Sequence, residues 1–309
     1  MLVRRPSVGL VLSGGGACGL VHIGVLRVLE REGIPVDYLA GTSMGGVIAA
    51  GYAAGMSSHD LEREALVATR KRHLLRLADP SIRNGGVNRG QRLLAFFRQE
   101  FGEKTFSDLR LPLALVAVDL NSFQEVVLRE GPVALALRAT TSIPGLFMPV
   151  EMNGWRLVDG GVLNNLPVDV VSRMGADVVI AVDIGLTHKA GIGHWIGNHR
   201  WIPDGISTTL EVLDDTLYAL RIVGQENKLR QFPPDVLICP GLPINVNVVV
   251  GYDRVAELAA AGERAAEDHL SEIKALLRPR WRWPLNRGMD RVGKSLAQPS
   301  FPGINAEKF

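Results

Sequence analysis

Cysteine is almost missing from this chain: Cys18 and Cys239 are the only two in 309 residues, and they lie far apart. Two cysteines so placed exclude a disulfide framework and a cysteine-based metal cluster, and their scarcity fits a reducing compartment. A surplus of charge is missing as well. The formal net charge is +2, too small for a global attraction to nucleic acid. No apolar run approaches the roughly 18 residues of a membrane-spanning helix. The start, Met1-Leu2-Val3-Arg4-Arg5, is basic, but the apolar run after it is short for a secretory signal and ends in glycines rather than a cleavage site. There are no internal repeats. These absences lead to the expectation of a soluble, cytoplasmic protein without a nucleic-acid partner.

What is present is apolar material, 47% of the residues, enough for one large α/β domain or two small ones. The chain is organised around Gly41-Thr42-Ser43-Met44-Gly45, which is G-x-S-x-G, the nucleophile-elbow pattern. Residues 36–40 read as a strand and 47–54 as a helix, so Ser43 falls on a sharp strand-to-helix turn. Such a turn forces the serine into strained backbone angles, and glycines on either side, Gly41 and Gly45, remove side chains that would clash. The hydroxyl is then pushed above the sheet with a helix N-terminus aimed at it, which favours an alkoxide. Ser43 is the candidate nucleophile.

Upstream, residues 7–12 form a continuous apolar run, as in a strand buried on both faces. Ser13-Gly14-Gly15-Gly16-Ala17-Cys18-Gly19 follows at once, and 20–30 then shows helical spacing. Strand, glycine loop and helix make an anion cradle of backbone N–H groups. Two readings stay open. Gly14, Gly16 and Gly19 satisfy G-x-G-x-x-G, with Asp37 near where a ribose-binding acid could sit, so a dinucleotide site is one. An oxyanion hole serving Ser43 is the other. Adjacent parallel strands would place both loops on one sheet edge, which makes sense as acyl transfer.

Helices are expected over 57–78, 89–101 and 133–139, strands over 112–120 and 123–128, and a loop over 140–149. The basic stretch from Arg70 to Arg92 reads either as a solvated face or as a cap for anionic head groups. A short strand from Trp155 ends at Asp159, followed by Gly160 and Gly161. The glycines can fix the carboxylate at the strand end, although Asp-Gly is also a common hairpin turn. Asn164-Asn165-Leu166-Pro167 leads into a helix, then come a buried strand over 176–184, an irregular segment over 185–204, a long helix over 207–231, a strand over 234–240 and an amphipathic helix over 253–277. His22 should pack inside the first helix and Cys239 in the core. The domain should span 7–277, and 278–309 reads as a basic, Trp- and Pro-containing mobile tail. Trp195, Trp201, Trp281 and Trp283, the last two among arginines, suit contact with an anionic lipid surface.

Leu12-Ser13-Gly14-Gly15-Gly16-Ala17-Cys18-Gly19, Gly41-Thr42-Ser43-Met44-Gly45 and Asp159-Gly160-Gly161, in this order, resemble the motifs of the patatin-like phospholipases, and the bacterial members related to neuropathy target esterase in particular. His22 to Leu26 and Gly161 to Pro167 extend the likeness. The resemblance implies a three-layer α/β/α fold with a mostly parallel central sheet. It implies hydrolysis of phospholipid or lysophospholipid esters by a Ser43–Asp159 dyad through an acyl-enzyme, with Gly14, Gly15 and Gly16 as oxyanion-hole donors and no metal or organic cofactor. Cys18 departs from the family, which usually carries Arg or Lys there, so a cation near the loop is missing. A weakened, lipid-binding scaffold is one alternative. A triad drawing on His188, His194, His199 or His269 is another, although the elbow follows only the second strand, unlike the α/β-hydrolase order.

Overall fold

A computed structural model of the chain describes residues 5–70, 79–80, 86–185, 204–246 and 250–278. In chain order it contains β1 (Val8–Leu12), α1 (Val21–Arg31), β2 (Tyr38–Thr42), α2 (Ser43–Ala53), α3 (Ser58–Ala68), β3 (Gly86–Asn88), α4 (Gln91–Phe101), β4 (Leu113–Asp119), β5 (Gln124–Leu128) and α5 (Val133–Thr140). Then follow β6 (Gly145–Phe147), β7 (Val150–Met152), β8 (Trp155–Asp159), α6 (Val168–Met174), β9 (Val178–Val182), α7 (Asp204–Gln231), β10 (Val236–Ile238), α8 (Val255–Asp268) and α9 (Leu270–Leu276). The unit described below runs from Pro6 to Leu277. Among the described residues, no helix is long and apolar enough to cross a membrane.

Period-2 alternation splits the core between the two faces of the sheet. Leu10 and Leu12 of β1, Leu39 of β2, Leu113 and Leu115 of β4 and Ile180 and Val182 of β9 join one apolar cluster. Val11, Ala40, Ala114, Val116, Val179 and Ala181, from the same strands, join the other. The first cluster is covered by α1, α2, α4, α5 and α8 through residues such as Ile23, Ile48, Phe97, Leu137 and Leu258. The second is covered by Val168, Val170 and Val171 of α6 and by Leu229 of α7. Strands buried on both faces therefore carry helices on both, a three-layer α/β/α architecture.

The strand order is β10-β9-β1-β2-β4-β8-β7, with β5 also on β4. The sheet is mixed. From β10 to β4 the pairings are parallel, whereas β5 and β8 run antiparallel to β4, and β7 antiparallel to β8. The parallel half sends the C-terminal ends of β1, β2 and β9 to one edge, where crevices form in such sheets. Thr42 at the end of β2 pairs with Val116 of β4. β8 comes from the opposite direction and brings Asp159 beside Ala117, the next residue of β4. β5 occupies the other edge of β4 over the same residues, so β2 and β8 meet end to end along one edge.

Several elements differ from the sequence reading. The elbow helix starts at Ser43 rather than at 47, because Gly45 and Gly46, weak helix formers, are held helical by packing rather than by propensity. Residues 145–147 form a strand paired with 86–88, a distant partner that no local pattern displays. The helix expected over 57–78 is seen as α3, capped by Ser57 and Asp60, and the rest of that range, 71–78, lies outside the described residues. The amphipathic helix over 253–277 is broken at His269 into α8 and α9. Cys239 is exposed, not in the core, since it follows the last residue of β10 where the chain leaves the sheet. The expected tail beyond Arg278, most of the 185–204 segment, and Trp195, Trp201, Trp281 and Trp283 lie outside the described residues.

Candidate active site

The head-on meeting of β2 and β8 brings Ser43 and Asp159 together. Ser43 has φ 52, the left-handed region that non-glycine residues avoid, at a cost on the order of 1–3 kcal/mol. The surrounding packing enforces it. A Cβ at Gly41 would lie 2.7 Å from the Gly45 carbonyl, and one at Gly45 would run into the carbonyls of Leu12 and Ser13. The Ser43 N–H donates to Thr140 Oγ1 (3.0 Å), and the Thr140 hydroxyl donates to the Val116 carbonyl (2.6 Å). Thr140 thereby ties the elbow to the point on β4 where the two strands meet.

Asp159 is almost fully buried, 6% exposed. Its carboxylate lies close enough to the Ser43 hydroxyl to feel it, and it accepts the Gly161 N–H at 2.8 Å. Gly160 packs directly on the Val116 carbonyl, and the chain turns there into a short 3-10 segment, so Asp-Gly is a strand-end fixture and not a hairpin turn. Burial raises the Asp159 carboxyl to about 6, against the lowering pull of Ser43, Gly161 and the more distant Arg221 charge. Such a carboxylate is a stronger base than a solvated one.

The glycine loop lies beside this pair. The Gly14 N–H donates to the Asn165 carbonyl (3.2 Å), and Asn165 Nδ2 donates back to the Gly14 carbonyl (3.3 Å). That bond takes Gly14 out of the expected set of oxyanion donors. Its place is steric: a Cβ would lie 2.6 Å from Asn165 Oδ1 and 3.0 Å from Ser43 Cβ. The Gly15 N–H has no partner among the described residues. Gly16 opens the 3-10 turn Gly16–Leu20, and Gly19 packs against Met44. His22, fully buried in α1 as expected, donates from Nε2 to the Ser13 carbonyl (2.8 Å), and burial lowers its pKa to about 4, so it stays neutral. The Asn164 carbonyl accepts the Thr42 hydroxyl (2.8 Å). Asn164 and Asn165 thus join all three motifs, and their only trace in the sequence is their place after Asp159-Gly160-Gly161.

The long helix α7 reaches the same edge. Tyr218 donates its hydroxyl to the Gly185 carbonyl (2.9 Å), and Gln225 Nε2 donates to Asp183 Oδ2 (2.5 Å). Arg221 lies between them, its guanidinium over the Tyr218 ring at 4.9 Å. Nothing in the sequence singled out Arg221 among the polar residues of a long helix.

Cys18 does not face this site. It is 3% exposed in the apolar cluster under α1, and burial pushes its thiol up to about 12. The missing-cation idea falls: a cation substituted here would sit in the core rather than near an oxyanion. Cys18→Arg is expected to lose at least about 2 kcal/mol of stability in denaturant unfolding, the cost of an unpaired buried charge. In the native protein a thiol reagent should modify Cys239 and spare Cys18. Rapid double modification would show the loop to be more open than this.

Asp37 is also displaced from its expected role. It precedes β2 and accepts the Val8 N–H at 2.7 Å, at the opposite end of the sheet from the glycine loop, so it cannot serve a ribose there. His269 Nδ1 bonds the Ala265 carbonyl of its own helix (2.9 Å), and no described histidine acts on Asp159. His188, His194 and His199 lie outside the described residues.

Comparison with known proteins finds a family and several relatives that the chain resembles. The family described as "Patatin-like phospholipase" matches residues 10–172. An uncharacterized NTE family protein of Mycobacterium tuberculosis is 38% identical over 179 residues, 58% of this chain and 49% of the relative. A second one from the same organism is 31% identical over 293 residues, 90% of this chain and 49% of the relative. The lysophospholipase NTE1 of Yarrowia lipolytica is 29% identical over 307 residues, 94% of this chain and 21% of that protein. The chain therefore spans about half the length of the mycobacterial relatives it matches.

Proposed function

Because this chain belongs to the patatin-like phospholipase family, we propose that it hydrolyses fatty-acyl esters of phospholipids or lysophospholipids through an acyl-Ser43 intermediate, with Asp159 as the base. The observation that carries the reading is the strained Ser43 backbone, which sets its hydroxyl beside a buried carboxylate of raised pKa. Ser43 Oγ attacks the ester carbonyl while Asp159 takes its proton. The oxyanion of the tetrahedral intermediate sits against the N-terminus of α2 and the N–H groups of Gly15 and Gly16. Collapse expels the alcohol, which recovers the proton from Asp159. Water, deprotonated by Asp159, then releases the fatty acid and restores Ser43.

The chemistry needs neither a metal nor an organic cofactor. The scaffold alternative leaned on Cys18, and Cys18 is a core residue. The dinucleotide alternative used Gly14, Gly16 and Gly19 and needed a ribose-binding acid beside them, but Asp37 lies at the wrong end of β2. Contact with an anionic membrane fits the substrate class.

The pH dependence tests the reading. Asp159 must be ionised to accept a proton, and its carboxyl titrates at about 6. Fatty-acid release from lysophosphatidylcholine, followed by mass spectrometry, should therefore show kcat/KM rising about tenfold per pH unit below 6 and levelling above it. No release from lysophosphatidylcholine, monoacylglycerol or a nitrophenyl ester would refute the hydrolase, and a profile flat down to pH 4 would refute Asp159 as the base.

A further inference from the structure

We propose that Arg221 binds the phosphate of the phospholipid or lysophospholipid whose acyl ester lies at Ser43, an assignment that rests on the hydrolase reading above. The guanidinium carries five N–H donors, yet it makes no hydrogen bond or ion pair among the described residues, and its Nε is buried without a partner. An unpaired cation partly withdrawn from water is costly unless an anion completes it. Its position is held from both sides. Tyr218, one turn before, and Gln225, one turn after, share its helix face and are tied to Gly185 and Asp183 at the end of β9. Tyr218 also supports the guanidinium with its ring.

The placement suits a phosphate rather than the reacting carbonyl. Arg221 is near enough for its charge to act on Asp159, but it forms no ion pair with it. In a glycerophospholipid a few bonds separate the acyl ester from the phosphate, so a phosphate site should lie a short way from Ser43 and not upon it. When Asp159 takes the Ser43 proton it loses its charge, and the phosphate is then the anion left facing Arg221. A planar, forked guanidinium suits two phosphate oxygens.

Binding, rather than turnover, separates this assignment from the hydrolase reading. The Ser43→Ala protein is titrated with lysophosphatidylcholine and with monoacylglycerol of the same acyl chain, both as monomers, and with inorganic phosphate. The phosphate-bearing lipid should bind at least about tenfold tighter than monoacylglycerol. Adding Arg221→Gln should bring that ratio close to one, and Arg221→Lys, which keeps the charge and loses the fork, should leave an intermediate ratio. Thermal unfolding serves as the control, because removing a side chain with no hydrogen bonds should shift the midpoint little. Equal binding of the two lipids would overturn the phosphate site, and a ratio that survives both Arg221 substitutions would overturn Arg221. Inorganic phosphate binding as tightly as the lipid would make a free anion the ligand and overturn the head-group assignment. If the wild-type protein released no fatty acid while the binding ratio held, the hydrolase reading would fail and the phosphate site would stand.

Discussion

Ser43→Ala should abolish labelling by a fluorophosphonate and lower ester turnover by at least about 10⁴-fold, as loss of a serine nucleophile does elsewhere. A serine hydroxyl beside a carboxylate is not by itself distinctive in this protein. Ser7 bonds Asp177, Ser57 bonds Asp60, Ser58 bonds Glu30 and Ser122 bonds Asp119. The difference lies in the base and in the backbone. Hydrogen bonds to Arg156, Ser122 and Asn121 hold Asp119 down at about 2, and Ser57 with Arg63 holds Asp60 below its ordinary value, so both are poor proton acceptors. Asp159 goes the other way because burial outweighs its hydrogen bonds. Ser43 alone among these serines has a positive φ, and it opens the helix α2, whose N-terminal dipole end favours negative charge. Mass spectrometry of the adduct should find the phosphonate on Ser43. A label that persists in Ser43→Ala would move the nucleophile elsewhere.

How much of this could be read from the chain alone depends on the range of the interaction. The parallel half of the sheet was readable because its strands are continuous apolar runs, each ending in a glycine-rich or acidic loop. The elbow was readable because G-x-S-x-G between strand and helix is a local constraint. The antiparallel half was not: that β8 abuts β2 along one edge of β4 is a matter of register between segments far apart in sequence. The same holds for Thr140, which acts only by being folded under Ser43, and for Arg221, which arrives from α7. Gly14 and Cys18 show the opposite limit. Both sit in a motif, and the motif alone could not tell that the Gly14 N–H is already bonded to Asn165 or that the Cys18 side chain turns into the core.

Asp159→Asn should separate function from stability. The amide keeps the shape of the carboxylate and can still accept the Gly161 N–H, but it cannot take a proton at neutral pH, so kcat should fall about 10²–10⁴-fold. Stability should move the other way. The Asp159 carboxyl titrates at about 6 in the folded protein, against roughly 4 in an unfolded chain. Between these values the folded state binds more protons than the unfolded one, so this group makes stability fall as pH rises. Above pH 6 the full cost is present, on the order of 3 kcal/mol for about two pKa units; below about 4 it is gone. The amide escapes that cost but brings an N–H₂ group that finds fewer partners, which leaves an expected net gain of about 1–2 kcal/mol at pH 8. His22 acts in an overlapping window with the opposite sign, since burial lowers it to about 4 and the unfolded state binds the extra proton. It is present in both proteins, so it cancels in their difference. Denaturant unfolding of the two proteins at pH 8 and at pH 4 should therefore show the variant ahead at pH 8 and the gap closing at pH 4. A variant that loses activity and is also less stable at pH 8 would mean that Asp159 holds the fold together through its hydrogen bonds, and that its burial is not a cost kept for catalysis.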